Sequence, residues 1–147
     1  MRFWGKVLLA PVITLVLLWP ASKVLAADKD VINYRQNVMK SIGANAGALG
    51  AIMQNKVAHA ENLALHAEAI SIGAQAALRA FEDEVVGGTA KADIWENWQD
   101  FSDRFNALAT AAAAVAEAAR EGGMAAAGPK LGAMLICKAC HDDYRTE

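Results

Sequence analysis

Apolar side chains recur at steps of three and four residues through most of this chain, the period of an α-helix with one buried face. In the first such stretch, from about Asp30 to Asn55, the recurring positions are Tyr34, Val38, Ile42, Leu49, Ile52 and Met53. Asp28 or Asp30 can cap its start. A second stretch runs from about Ala58 to Phe81 on Leu63, Ala67, Ile70, Ala74, Ala77 and Leu78. The third, from near Asp93 to about Arg120, steps through Ile94, Trp98, Phe101, Phe105, Leu108, Ala112 and Val115. A fourth ends around Arg145, and Pro129 either sits in its first turn or kinks a helix begun near Met124.

Turn signals fall between these stretches. Val86-Gly87-Gly88-Thr89 breaks the chain after the second, and Gly122-Gly123 ends the third. No segment alternates with the period of a strand. Four helices on short loops predict an all-α domain, an antiparallel four-helix bundle, the architecture that holds cofactors between facing helices. The run Ala111–Ala114 is ordinary helix composition. Gly43, Gly47 and Gly50 each cost about 1 kcal/mol against alanine in a helix interior. Three of them in the first helix predict close approach by something large or by a neighbouring helix.

The N-terminus has a different pattern. Arg2 and Lys6 precede an apolar run from Val7 to Trp19, and Val24-Leu25-Ala26 supplies a small-residue end. That is the layout of a secretory signal. The run is only 13 residues and contains Pro11, short of the roughly 20 that span a bilayer, so removal is favoured over a retained anchor. Residues 1–26 are read as the signal, with cleavage after Ala26 and Ala27 as the alternative, and 27–147 as one domain. That domain holds 11 basic and 16 acidic side chains, a formal charge of −5. With no basic patch, the balance argues against nucleic-acid binding.

Both cysteines of the chain fall in Cys137-Lys138-Ala139-Cys140-His141. Cys-x-x-Cys-His is the spacing of c-type haem attachment: two thioethers fix the porphyrin and the adjacent imidazole faces the iron. A catalytic dithiol belongs in a βαβ setting that is missing here. Zinc needs about four ligands, and only His59 and His66 remain as further nitrogen donors. A disulfide across two residues would close a loop too small to stabilise much. Covalent haem c is therefore expected, and export suits it. Lys138 and Ala139 act as spacers.

Three segments, CKACHDDYR at the C-terminus, YRQNVMKSIG near the start and DIWENWQDF in the middle, resemble the cytochrome c′ family, and more narrowly its six-coordinate, cytochrome c-556-like branch. The resemblance covers essentially the whole of 27–147. It implies that Met39, in the first helix, is the second axial ligand opposite His141. Arg35 lies four residues before Met39, on the same helix face, and is expected to reach a haem propionate. Gly43, four residues after it, leaves room for the porphyrin edge. Arg145 matches a family arginine near the proximal haem face. Without the resemblance, Met39 reads as core packing, like Met53, Met124 and Met134, and Arg35 as a solvated charge. His59 and His66 are read as surface or boundary histidines, Trp95 and Trp98 as packing, and Asp142, Asp143 and Arg145 as exposed.

With His141 and Met39 both on iron, the expected role is outer-sphere electron transfer in the periplasm, with no catalytic turnover and with redox partner proteins the sequence does not name. The alternative is a five-coordinate binder of nitric oxide or carbon monoxide, with Met39 unbound. A haem-free exported protein with a disulfide is a further alternative. The family resemblance also implies a possible homodimer through the first and second helices, with Gly43, Ala44, Gly47 and Ala48 as close-packing positions.

Overall fold

The computed structural model describes residues 28–147; the export signal expected at 1–26 lies outside the described residues. Helix α1 spans Asp28–Met53. A 3-10 turn at Ala60–Asn62 leads into α2, Leu63–Ala80. After a loop comes the single turn α3, Asp93–Glu96, then the long α4, Trp98–Ala127. A 3-10 stretch, Gly128–Met134, precedes α5, Cys137–Tyr144. Among the described residues there is no strand; isolated antiparallel bridges join Gly87 to Ala90 and Ala90 to Arg145. The all-α, antiparallel four-helix bundle read from the periodicity is the fold.

Helix α2 packs against both α1 and α4, and its expected stripe is buried: Leu63, Ala67, Ile70, Ala74 and Ala77 are essentially covered. The α1–α2 contact is close. A Cβ added at Gly73 would come within 2.8 Å of Ile42 Cγ1. Across the α2–α4 contact, buried Ser71 donates its hydroxyl to the carbonyl of Ala109 at 2.8 Å, and Arg120 pairs with Glu68 on the surface. On the α1–α2 side, half-buried His66 meets Asn45 Oδ1 at 2.9 Å, while His59 is exposed.

Three expectations need correction. The third helix is two pieces, because Asn97 leaves helical geometry (φ −119°, ψ 39°) and its side chain donates to the Asp93 carbonyl at 3.1 Å. Asparagine competes in this way with the helix's own backbone bonds. The fourth helix is not one cylinder either. The chain breaks at Gly122 and at Gly123 (φ 60°), resumes helically at Met124, tightens into the 3-10 stretch whose first turn holds Pro129, and ends as α5. Both readings of Pro129 thus hold a part: the helix does begin near Met124, and proline starts the tighter piece. Lastly, Tyr34 is exposed and Arg35 takes the buried place beside it.

The glycines of α1 do not serve helix packing. A Cβ at Gly43 or Gly47 would meet nothing within 4 Å, and one at Gly50 only the end of Gln54. The backbone approach between helices is made at Gly73 instead.

Candidate functional site

At one end of the bundle α1, α4 and α5 diverge around a cavity of about 600 Å³, within the roughly 300–1,000 Å³ usual for cofactor sites. Its walls are mainly apolar, among them Ile42, Phe81, Phe101, Phe105 and Leu108. Phe81, Phe101 and Phe105 form an edge-to-face cluster, with ring centroids 5.1 Å and 5.0 Å apart for the two pairs made by Phe101. Such rings form a rigid wall.

All six residues singled out from the sequence line this cavity: Met39 and Arg35 from α1, Cys137, Cys140 and His141 from α5, and Arg145 just beyond it. Cys137, Cys140 and His141 share one face of α5 because residues three and four apart are neighbours on a helix. Cys137 is exposed and Cys140 half-buried, and burial pushes the Cys140 thiol up. Burial, then the nearby Arg145 cation, lowers the His141 pKa, favouring the neutral imidazole that binds metal. His141 and Arg145 also border a second cleft of about 500 Å³ with Lys91, Asp142 and Glu147.

Arg35 is only 3% exposed. Its Nη2 donates to the carbonyl of Val85, and its guanidinium lies 4.9 Å from the Phe81 ring centroid and 5.5 Å from that of Trp95. Nη1 is buried with no partner among the described residues. Burial lowers the Arg35 pKa, yet a guanidinium stays charged in proteins. A buried, half-satisfied cation facing an apolar cavity calls for an anion.

Haem fits these residues. The cavity is apolar and large, the open space before Gly43 borders it, two thiols and an imidazole stand on its wall, and the unpaired donor of Arg35 suits a propionate carboxylate. Among the described residues no group of three or more His, Cys, Asp or Glu side chains could hold a bare metal ion.

Four features were missed from the sequence. Arg104 lines the same cavity and bridges Asp100 (Nε to Oδ2, 2.8 Å) and Asp143 (Nη1 to Oδ2, 2.7 Å). Its i, i+4 spacing from Asp100 was a readable signal; its reach to Asp143 was not. Lys91 Nζ donates to the carbonyls of Asp142 and Asp143 at 3.1 and 3.0 Å, satisfying the end of α5. Phe81, and the Val85 carbonyl over Arg35, complete the set. Trp95 packs on the core and donates Nε1–H to the Phe81 carbonyl at 2.9 Å. Asp142, Asp143 and Arg145 are exposed, as expected.

A helical bundle with Cys-x-x-Cys-His on its last helix, opening onto an apolar cavity, defines a c-type haem protein. The chain belongs to the cytochrome c′ family: the family model described as Cytochrome C' matches residues 30–145, and the cofactor is covalently attached haem c. It is 32% identical over 124 residues to cytochrome c' of Pararhodospirillum photometricum, covering 82% of this chain and 99% of that one. It is 36% identical over 121 residues to cytochrome c-556 of Agrobacterium tumefaciens (strain II Chrys), covering 78% and 95%. A nitric oxide complex of a variant cytochrome c prime from Alcaligenes xylosoxidans superposes with a TM-score of 0.75 at 23% identity, covering 84% of this chain and 99% of that one, which shows the common fold.

Proposed function

We propose that this protein is a periplasmic electron-transfer cytochrome whose iron is held by His141 and Met39. When bound, the haem supplies one-electron chemistry between ferric and ferrous states. Cys137 and Cys140 hold it covalently, and the His141 imidazole is the ligand from α5. Met39 supports the reading most directly: it comes from α1, at the other end of the described chain from α5, yet lines the same cavity as His141. A thioether is a soft ligand that favours the ferrous state and raises the potential. With His141 and Met39 both donating to the iron, the bound haem would have no site left for substrate, and its chemistry would be outer-sphere transfer without catalytic turnover. Arg35 offers its free donor, and Arg145 its guanidinium, to the propionates. The apolar walls exclude water and strengthen those charge interactions.

A second reading has its own support. Relatives of this chain are named cytochrome c′ as well as cytochrome c-556, and one similar fold was solved with nitric oxide. In that reading Met39 is unbound or readily displaced, and the open side of the iron takes nitric oxide or carbon monoxide. Ferric and ferrous spectra of the wild type beside Met39→Ala separate the two. Electron transfer expects low-spin wild-type spectra that turn high-spin in the variant; identical spectra, high-spin in both, sink Met39 ligation.

The expected address rests on the N-terminal signal and on the family. Among the described residues no helix is long and apolar enough to cross a membrane. The homodimer through α1 and α2 is supported by Leu65 and Ile72, two turns apart on the outer face of α2 and each 60% exposed.

A further inference from the structure

Helix α5 is eight residues long, far below the roughly 12–15 that an isolated helix needs for even marginal stability. Tyr144 is its only buried side chain. Its orientation is therefore set by what grips it from outside. On one side Lys91 holds the carbonyls of Asp142 and Asp143. On the other, two residues one turn apart on α4 close a circuit with two adjacent residues of α5. Arg104 Nε meets Asp100 Oδ2 at 2.8 Å and Nη1 meets Asp143 Oδ2 at 2.7 Å. The Tyr144 hydroxyl donates to the same Asp100 Oδ2 at 2.5 Å, and the guanidinium lies 5.2 Å from the Tyr144 ring centroid.

We propose that Arg104 is a positioning residue for the haem-bearing helix: by tying Asp143 and Tyr144 to Asp100, it fixes the rotation of α5 and hence the plane of the His141 imidazole. This rests on the reading of His141 as an iron ligand. His141 stands two residues before Asp143 and three before Tyr144, so any roll of α5 turns the imidazole with it. Arg104 lines the cavity that His141 faces, and its side chain is 29% exposed while the carboxylates of Asp100 and Asp143 stay open to solvent at 53% and 55%, so the guanidinium is the anchored member of the clamp. The planar fork of a guanidinium reaches both carboxylates at once; an ammonium does not.

The test uses the matured, haem-loaded protein and reads ferric electron paramagnetic resonance, whose g-values follow the orientation of the axial ligands, beside haem content from the pyridine haemochrome. Arg104→Gln is expected to keep full covalent haem but to shift the g-values or add a second set. Asp143→Asn, at an exposed position, is expected to give the same shift, and the double variant to add nothing to it. Arg104→Lys keeps the charge without the fork and is expected to resemble Arg104→Gln. Arg120→Gln breaks the exposed pair with Glu68 and controls for general loosening; its g-values are expected to match wild type. Wild-type g-values in Arg104→Gln and Asp143→Asn, full rescue by lysine, or shifts that add in the double variant would overturn the proposal. Should Arg104→Gln fail to accumulate, Asp143→Asn alone decides. Wild-type g-values unchanged by His141→Ala would instead sink the ligand reading beneath it.

Discussion

The side chain of Arg35 on α1 donates to the backbone carbonyl of Val85, fifty residues along the chain, and is closed in by Phe81 and Trp95. That contact fastens the loop after α2 over the start of α1 and leaves Nη1 buried beside the cavity with no partner among the described residues. An uncompensated buried donor costs about 1–3 kcal/mol, more when charged. The sign of a substitution therefore depends on the cofactor. Arg35→Met is expected to change the stability of the haem-free chain little, or to raise it. In the haem-loaded protein, where the cation has a carboxylate partner, the same substitution is expected to cost about 2–4 kcal/mol. Thermal unfolding of both forms checks it; equal losses in both would show that Arg35 serves the loop alone.

The two glycine environments separate helix propensity from packing. Gly47→Ala, with nothing near the new methyl, is expected to stabilise by about 0.5–1 kcal/mol. Gly73→Ala gains the same propensity but drives a Cβ to 2.8 Å from Ile42 Cγ1, in a contact where Ile42 is 5% exposed. Overpacking of this kind costs about 1–3 kcal/mol, so a net loss is expected. Urea midpoints of the two variants, measured side by side, should move in opposite directions.

Leu65 and Ile72 bear on assembly. Paired apolar side chains on an otherwise polar helix face are available for a second copy. Leu65→Asp with Ile72→Asp is expected to shift sedimentation from dimer to monomer while leaving the haem spectrum as it was. A wild type that sediments as a monomer at tens of micromolar would remove the homodimer through α1 and α2.

The chemistry was more legible than the geometry that serves it. Cys137, Cys140 and His141 carry their meaning in a spacing of five residues, and the apolar repeats of α1, α2 and α4 are local, so both could be read along the chain. The burial of Arg35 could not, because it depends on Val85 and Phe81 folding back from far away in sequence. Tyr34 and Arg35 are neighbours about 100° apart on the helix, and only the tertiary contact decides that the charged one turns inward. The break at Asn97 and the three-part fourth helix turn on side-chain competition and on paired glycines, which periodicity does not report. Arg104 was visible as half of a helix pair with Asp100, while its partner Asp143 lies 39 residues on.

Tyr144 gives the clamp on α5 a pH dependence. Burial first, then the hydrogen bond to the Asp100 carboxylate, pushes its phenol up from the ordinary value near 10 to about 12. The folded protein thus holds this proton more tightly than the unfolded chain. Its contribution to stability is complete below about pH 10, and is lost as pH rises through about 12. The difference in melting temperature between wild type and Tyr144→Phe should therefore stay constant up to about pH 10 and then narrow or reverse, since phenylalanine has no proton to lose. A difference that is flat up to pH 12 would mean that the Tyr144 hydroxyl is not engaged with Asp100 in solution.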